Sequence, residues 1–174
     1  MPFAYYDRLT RAQQRVYRKS DEVAAVRLPG AVQVRPLADA LAQALSGEDR
    51  LAVQRAADRL LAALTMHLGV PPLHTEILAV RPARDWGELH GLYTPAHGGR
   101  SATVRLWMRT AQRQQVVKFR TFLRTLIHEL CHHLDYELLG LSDSFHTEGF
   151  YKRESSLMRQ LVGDPPPAQG ESHG

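Results

Sequence analysis

Apolar and polar positions along this chain repeat with two different periods, and the change of period divides it. From about 5 to 27 the spacing is helical. Tyr6, Leu9, Gln13, Val16, Tyr17 and Val23 share a face, and Arg8, Arg11, Arg15, Arg18 and Lys19 lie mostly elsewhere. Pro29, Gly30 and Pro36 in "RLPGAVQVRP" (27–36) interrupt that pattern and predict a connector. A second helix is expected over 37–45, closed by Ser46 and Gly47. A third is expected over 48–68, with Leu51, Leu60, Leu61, Leu64 and Leu68 as its apolar positions and Gly69, Pro71 and Pro72 as its stop.

Past residue 72 the period shortens. "LHTEILAV" (73–80), "GELHGLYT" (87–94) and "SATVRLWMR" (101–109) alternate partly and read as strands, punctuated by Pro82, Pro95, Gly98 and Gly99. The helical period then returns over 116–139. Phe119, Phe122, Leu123, Leu126, Ile127, Leu130 and Leu134 form one apolar stripe, and Gly140 stops it. A last helix is expected over 147–162. The Pro- and Gly-rich end, "GDPPPAQGESHG" (163–174), is expected to be a disordered tail. The predicted class is α+β: N-terminal helices, then a small mixed or antiparallel sheet of about three strands packed on a long helix. The organisation expected is an N-terminal helical segment and connector over 1–36, one folded domain over 37–162, and the tail.

Composition narrows the setting. The chain has 174 residues, enough for one core, and a single cysteine, so neither an internal disulfide nor a Cys-rich metal site is available. No run approaches the roughly 18 apolar residues of a membrane span. The N-terminal stretch lacks an apolar h-region, so no membrane partner is expected and the expected location is cytoplasmic. The formal net charge of +4 is unevenly spread. Between Glu88 and Glu129 there is no acid, while Arg100, Arg105, Arg109, Arg113, Lys118, Arg120 and Arg124 are all basic. This run over 100–124 is either a solvated face or a surface for nucleic acid or an acidic substrate. No nucleic-acid-binding motif accompanies it.

The chemistry is concentrated in "LIHELCHHLDY" (126–136). At about 100° per residue, His128 and His132 fall about 40° apart on the helix face opposite the apolar stripe. Two imidazoles one turn apart can share a tetrahedral Zn²⁺ ion, and Glu129 flanks them where its carboxylate can take a proton from a water on the ion. A catalytic zinc generally needs a third protein ligand. Downstream, "SDSFHTEGFYKRES" (142–155) offers His146, Glu148 and Glu154. His146, just past the Gly140 turn, can fold back over the pair and is preferred. Glu148 is the rival ligand, or else a first-turn acid favourable to the helix dipole. Asp135 shares the metal face and is either an acceptor orienting a ligand imidazole or a solvated acid. Tyr151 and Tyr93 are candidate donors to an oxyanion, or packing residues. Cys131 reads as a buried thiol and His133 as a packed or hydrogen-bonded side chain.

Taken together, "GLYT", "ATVRLWM", "HELCH" and "HTEGF" resemble the SprT-like zinc metallopeptidases over roughly residues 48–162. In that family the third ligand is the His of a His-Gly-x-x-Phe pattern. His146 and Phe150 match it, while Thr147 stands where Gly is usual and Gly149 follows two residues later. No Cys₄ zinc ribbon is present. The resemblance implies a zincin-like fold and a peptidase in which Glu129 activates water on a zinc held by His128, His132 and His146. It also implies a protein or peptide substrate that adds as a strand to a sheet edge above the zinc, with "ATVRLWMR" as the candidate edge. Some members cleave DNA-bound proteins, which the basic run would suit. The alternative is a nucleic-acid-associated regulatory or binding protein with a structural or inactive zinc site.

Overall fold

The computed structural model describes residues 2–80 and 91–164, so the first part of the strand expected at 87–94 and all but the start of the tail lie outside the described residues. Among the described residues the fold is α+β, with five α-helices and a three-stranded mixed sheet.

The first helical stretch divides in two. A short 3₁₀ turn, Ala4–Arg8, precedes α1, Arg11–Glu22. Thr10 sets the break: its hydroxyl accepts from the Gln13 N–H, and the Gln13 side chain accepts from the Thr10 N–H. Such a reciprocal cap starts a helix and so separates it from the turn before it. The expected connector also changes, because α2 runs Ala31–Ser46 and contains Pro36. Pro36 stands in the second turn, where proline forgoes an i→i−4 bond that the helix must do without. Val34, Ala38, Leu41 and Leu45, all buried at helical spacing, hold the segment helical through it. Gly30, in the left-handed region at φ 69°, supplies the N-cap.

Helix α3, Arg50–Leu68, starts at the Asp49 cap and ends at Gly69, also left-handed. Its buried stripe includes Val53, Ala57, Leu60, Leu61 and Leu64, but Leu51 is exposed, contrary to its place in the expected apolar set. The strands are β1, His74–Val80, β2, Gly91–Thr94, and β3, Thr103–Arg109, in the order β1-β3-β2. β1 runs parallel to β3 and β2 antiparallel to it. β3 is therefore the central strand, paired on both sides, and not the expected edge. Val104, Leu106 and Met108 face the core, while Arg105 points outward to Glu76.

Helix α4, Phe119–Glu137, packs its stripe of Phe122, Leu123, Leu126, Ile127, Leu130 and Leu134 into the same core. Gly140, left-handed at φ 63°, turns the chain back, and α5, Glu148–Val162, runs against α4. Thr147 caps α5 by accepting from the Phe150 N–H at 2.9 Å. No described helix is long and apolar enough to cross a membrane.

Candidate metal centre

Two helices and one loop assemble the site. His128 and His132 project from the α4 face opposite its apolar stripe, with the buried Glu129 on their flank, and the loop between Gly140 and Thr147 brings His146 over them. The His146 Nε2 atom lies 3.1 Å from His128 Nε2 and 3.1 Å from His132 Nε2. The three ring centroids stand 4.8 to 5.1 Å apart. Three nitrogens about 2.0–2.1 Å from a tetrahedral zinc would be separated by about 3.3 Å, so the donors already have metal-binding spacing. These three histidines can hold a metal ion. Glu148, the rival third ligand, instead directs its exposed carboxylate to Lys152 at 3.0 Å.

The nitrogens on the far side of each α4 imidazole fix its tautomer. The Ser144 hydroxyl donates to Asp135 Oδ2 at 2.7 Å, so its lone pair accepts from His132 Nδ1–H, also at 2.7 Å. His132 Nε2 is left as a lone pair aimed at the centre. Asp135 thus acts on His132 through Ser144 and is itself held by Arg153 at 2.9 Å, an ion pair with both partners buried. His128 Nδ1 faces the buried Glu154 carboxylate at 3.4 Å. Such outer partners orient metal-ligating histidines and raise their basicity. Burial, then the neighbouring His128 and His146, pushes the His132 pKa down to about 3. Burial and His128 also lower that of His146. His132 and His146 are thereby biased toward the neutral form that a cation requires.

Phe150, fully buried, lies beneath all three rings, with centroids 5.0, 4.8 and 5.2 Å from His128, His132 and His146. It forms a stiff apolar floor. Thr147, the departure from the family pattern, is the cap of α5, and its hydroxyl also lies 3.0 Å from Ser20 Oγ. Gly149 is required two residues later because a Cβ there would meet the Ser20 and Asp21 carbonyl oxygens at 2.6 Å.

Glu129 is only 6% exposed, and burial raises its pKa to about 7 against the pull of His128 and a hydrogen bond from the Tyr93 backbone N–H. Gly91 makes this approach of β2 to α4 possible: a Cβ there would sit 2.9 Å from Thr125 Cγ2 and 3.1 Å from Glu129 Cγ. The Tyr93 hydroxyl is directed away from the histidine triad. His133 Nε2–H donates to the Pro71 carbonyl at 2.8 Å, so His133 Nδ1 accepts from Tyr93 Oη at 2.9 Å. The Tyr93 ring stacks instead on His132. Tyr151, partly exposed, has its ring 6.2 Å from His128 and 5.8 Å from His146. Cys131 is buried, and burial holds its thiol well above the ordinary range, as expected of an inert packing residue.

A cleft of about 630 Å³ opens over the triad, between β2 and α4, lined among others by Tyr93, Arg124, Thr125, Tyr136 and Glu154. Sequence reasoning did not single out Ser144, Arg153 or Tyr136. Their roles depend on the return path of the loop, for which spacing along the chain carries no signal. Comparison with protein-family models, with curated proteins and with solved structures found no match.

Proposed function

We propose that this chain is a zinc-dependent metallopeptidase with a zincin-like catalytic domain of the SprT-like type, acting on protein or peptide substrates. The observation that carries the reading is the convergence of three imidazole Nε2 atoms beside a buried carboxylate, at the base of an open cleft. His128, His132 and His146 would hold the ion. Zinc bound there would polarise the scissile carbonyl and make a water at its open position acidic.

The remaining steps belong to the chain's own groups. Glu129 takes a proton from the attacking water onto its carboxylate and passes it to the leaving amine, a transfer favoured by a pKa near neutrality. The Tyr93 N–H fixes the direction of that carboxylate. Ser144 and Glu154 hold the two α4 imidazoles in one orientation. Substrate would lie along β2, whose outer side pairs with no other described strand. In an antiparallel ladder a residue's N–H and C=O point to one side. The Tyr93 N–H is taken by Glu129, so the Tyr93 carbonyl and the Gly91 backbone are the outward groups with which an extended peptide would pair, with little sequence demand.

Glu129→Gln tests the mechanism. The variant is expected to keep its zinc and to lose peptide cleavage by about 10²–10⁴-fold, the usual contribution of a general acid–base group. Retained cleavage would remove Glu129 from the reaction.

A further inference from the structure

We infer that the N-terminal segment, residues 3–22, is a positioning clamp for the third metal ligand. The inference rests on the three-histidine reading above and adds to it a role for a part of the chain outside the family resemblance.

His146 stands in a loop, between the Gly140 turn and the cap of α5, so no helix or strand of its own fixes its backbone. The N-terminal segment grips that loop at successive residues. The Tyr5 hydroxyl donates to the His146 carbonyl at 2.7 Å. Ser20 Oγ meets Thr147 Oγ1 at 3.0 Å, and Asp21 Oδ1 accepts from the Gly149 N–H at 2.9 Å. The Tyr17 ring lies 6.3 Å from that of Phe145. The fit leaves no room for a side chain, because a Cβ on Gly149 would meet the carbonyl oxygens of Ser20 and Asp21 at 2.6 Å.

The same helix end reaches a second ligand. The carbonyls in the last turn of a helix lack partners within it. At the end of α1 the buried Arg153 guanidinium takes up the Ser20 carbonyl and, at 2.6 Å, the Val23 carbonyl just beyond. Arg153 also donates to Asp135, which accepts from Ser144, which accepts in turn from His132. The N-terminal segment is thus tied to His146 directly, through Tyr5 of the 3₁₀ turn, and the end of α1 is tied to His132 through three side chains. A packing helix alone would need apolar contact, whereas the bonds here go to the ligand's own carbonyl and to the two residues that set its approach. Groups that orient metal ligands typically control metal affinity by 10–100-fold.

The test is a titration of the metal-free full chain with cobalt(II), followed by its d–d absorption. Parent, Tyr5→Phe, Asp21→Ala and, as a control away from the site, Arg105→Ala are compared. Circular dichroism and the melting temperature of each metal-free form are recorded alongside. Tyr5→Phe and Asp21→Ala are expected to raise the cobalt Kd about tenfold or more. They should also weaken the d–d band, as a loosened His146 gives way to water, while Tyr5→Phe leaves the metal-free melting temperature near that of the parent. Arg105→Ala should match the parent in Kd and band. Parental Kd and spectrum in Tyr5→Phe would overturn the clamp while leaving the metal site standing, even if Asp21→Ala fails to fold. A parent chain that binds no cobalt would overturn the three-histidine reading and the clamp with it.

Discussion

At the scale of single residues, one hydroxyl decides which nitrogen of His132 can bind a cation. Ser144 donates to Asp135 and accepts from His132 Nδ1, so Nε2 keeps its lone pair. Ser144→Ala leaves the imidazole in place but removes that constraint, and Asp135 loses one of its two buried partners. Zinc affinity is expected to fall about tenfold, at the low end of the range for outer partners. Competition with a chromogenic chelator measures it, and an unchanged affinity would reduce Ser144 to packing. Glu129 shows the opposite use of burial: a carboxylate with little water around it holds its proton up to about pH 7.

At the scale of elements, the contact between β2 and α4 aligns the sheet edge with the Glu129 carboxylate. Gly91→Ala inserts a Cβ 2.9 Å from Thr125 Cγ2, so strand and helix must part. The expected cost is about 1–3 kcal/mol of stability, as for other overpacked contacts. Cleavage should fall with zinc content retained, since the three histidines lie on α4 and its following loop. Thermal unfolding and metal analysis of the same preparation check both parts. Helix α4 was legible from the sequence because its stripe repeats for five turns and its histidines avoid that stripe. The start of α2 was not, since Pro36 reads locally as a breaker while the Val34–Ala38–Leu41–Leu45 stripe that overrides it acts through tertiary packing. The Thr10 capping box that splits the first helix is written in the sequence, in Thr10 and Gln13, but the continuous apolar face around it masks the break. Strand order carried no local signal either. The alternation of β3 suits an edge or a centre equally, and its pairing with both β1 and β2 is a long-range choice.

At the scale of the whole molecule, the site draws on both ends of the chain. Arg153 of α5, Asp135 of α4 and the end of α1 share one buried polar network, and removing either member of its ion pair is expected to be strongly destabilising. The charge map bears on the alternative reading. Within the basic run, Arg105 pairs with Glu76, Arg109 with Glu48 and Arg124 with Glu154, while Arg120 bonds the Gly163 carbonyl. Three of the seven basic side chains in the run thus face an acid within the fold. A nucleic-acid-binding role would show as DNA affinity that falls steeply with salt, and no binding at low salt removes it. The histidines give the metal-free chain a definite pH response. His132, His133 and His146 all have folded pKa values below the ordinary 6.5, so the unfolded chain takes up protons first as the pH drops. The histidine contribution is therefore full above pH 6.5 and declines below it, toward the value of about 3 for His132, while Glu129, raised to about 7, contributes with the opposite sign as the pH falls through neutrality. The decline is at most about 1.4 kcal/mol per pH unit for each such histidine. With the Glu129 contribution removed, the melting temperature of chelator-treated Glu129→Gln protein should be lower at pH 5 than at pH 7.5, and a rise on acidification would contradict the lowered histidine pKa values.

The central claim is that His128, His132 and His146 form one metal centre. Its most direct test is the metal content, by mass spectrometry, of parent and His146→Ala protein purified without chelators. The account predicts about one zinc per parent chain, as a three-ligand site implies, and little or none in the variant. A parent chain free of metal, or a variant that keeps its full zinc, would contradict it.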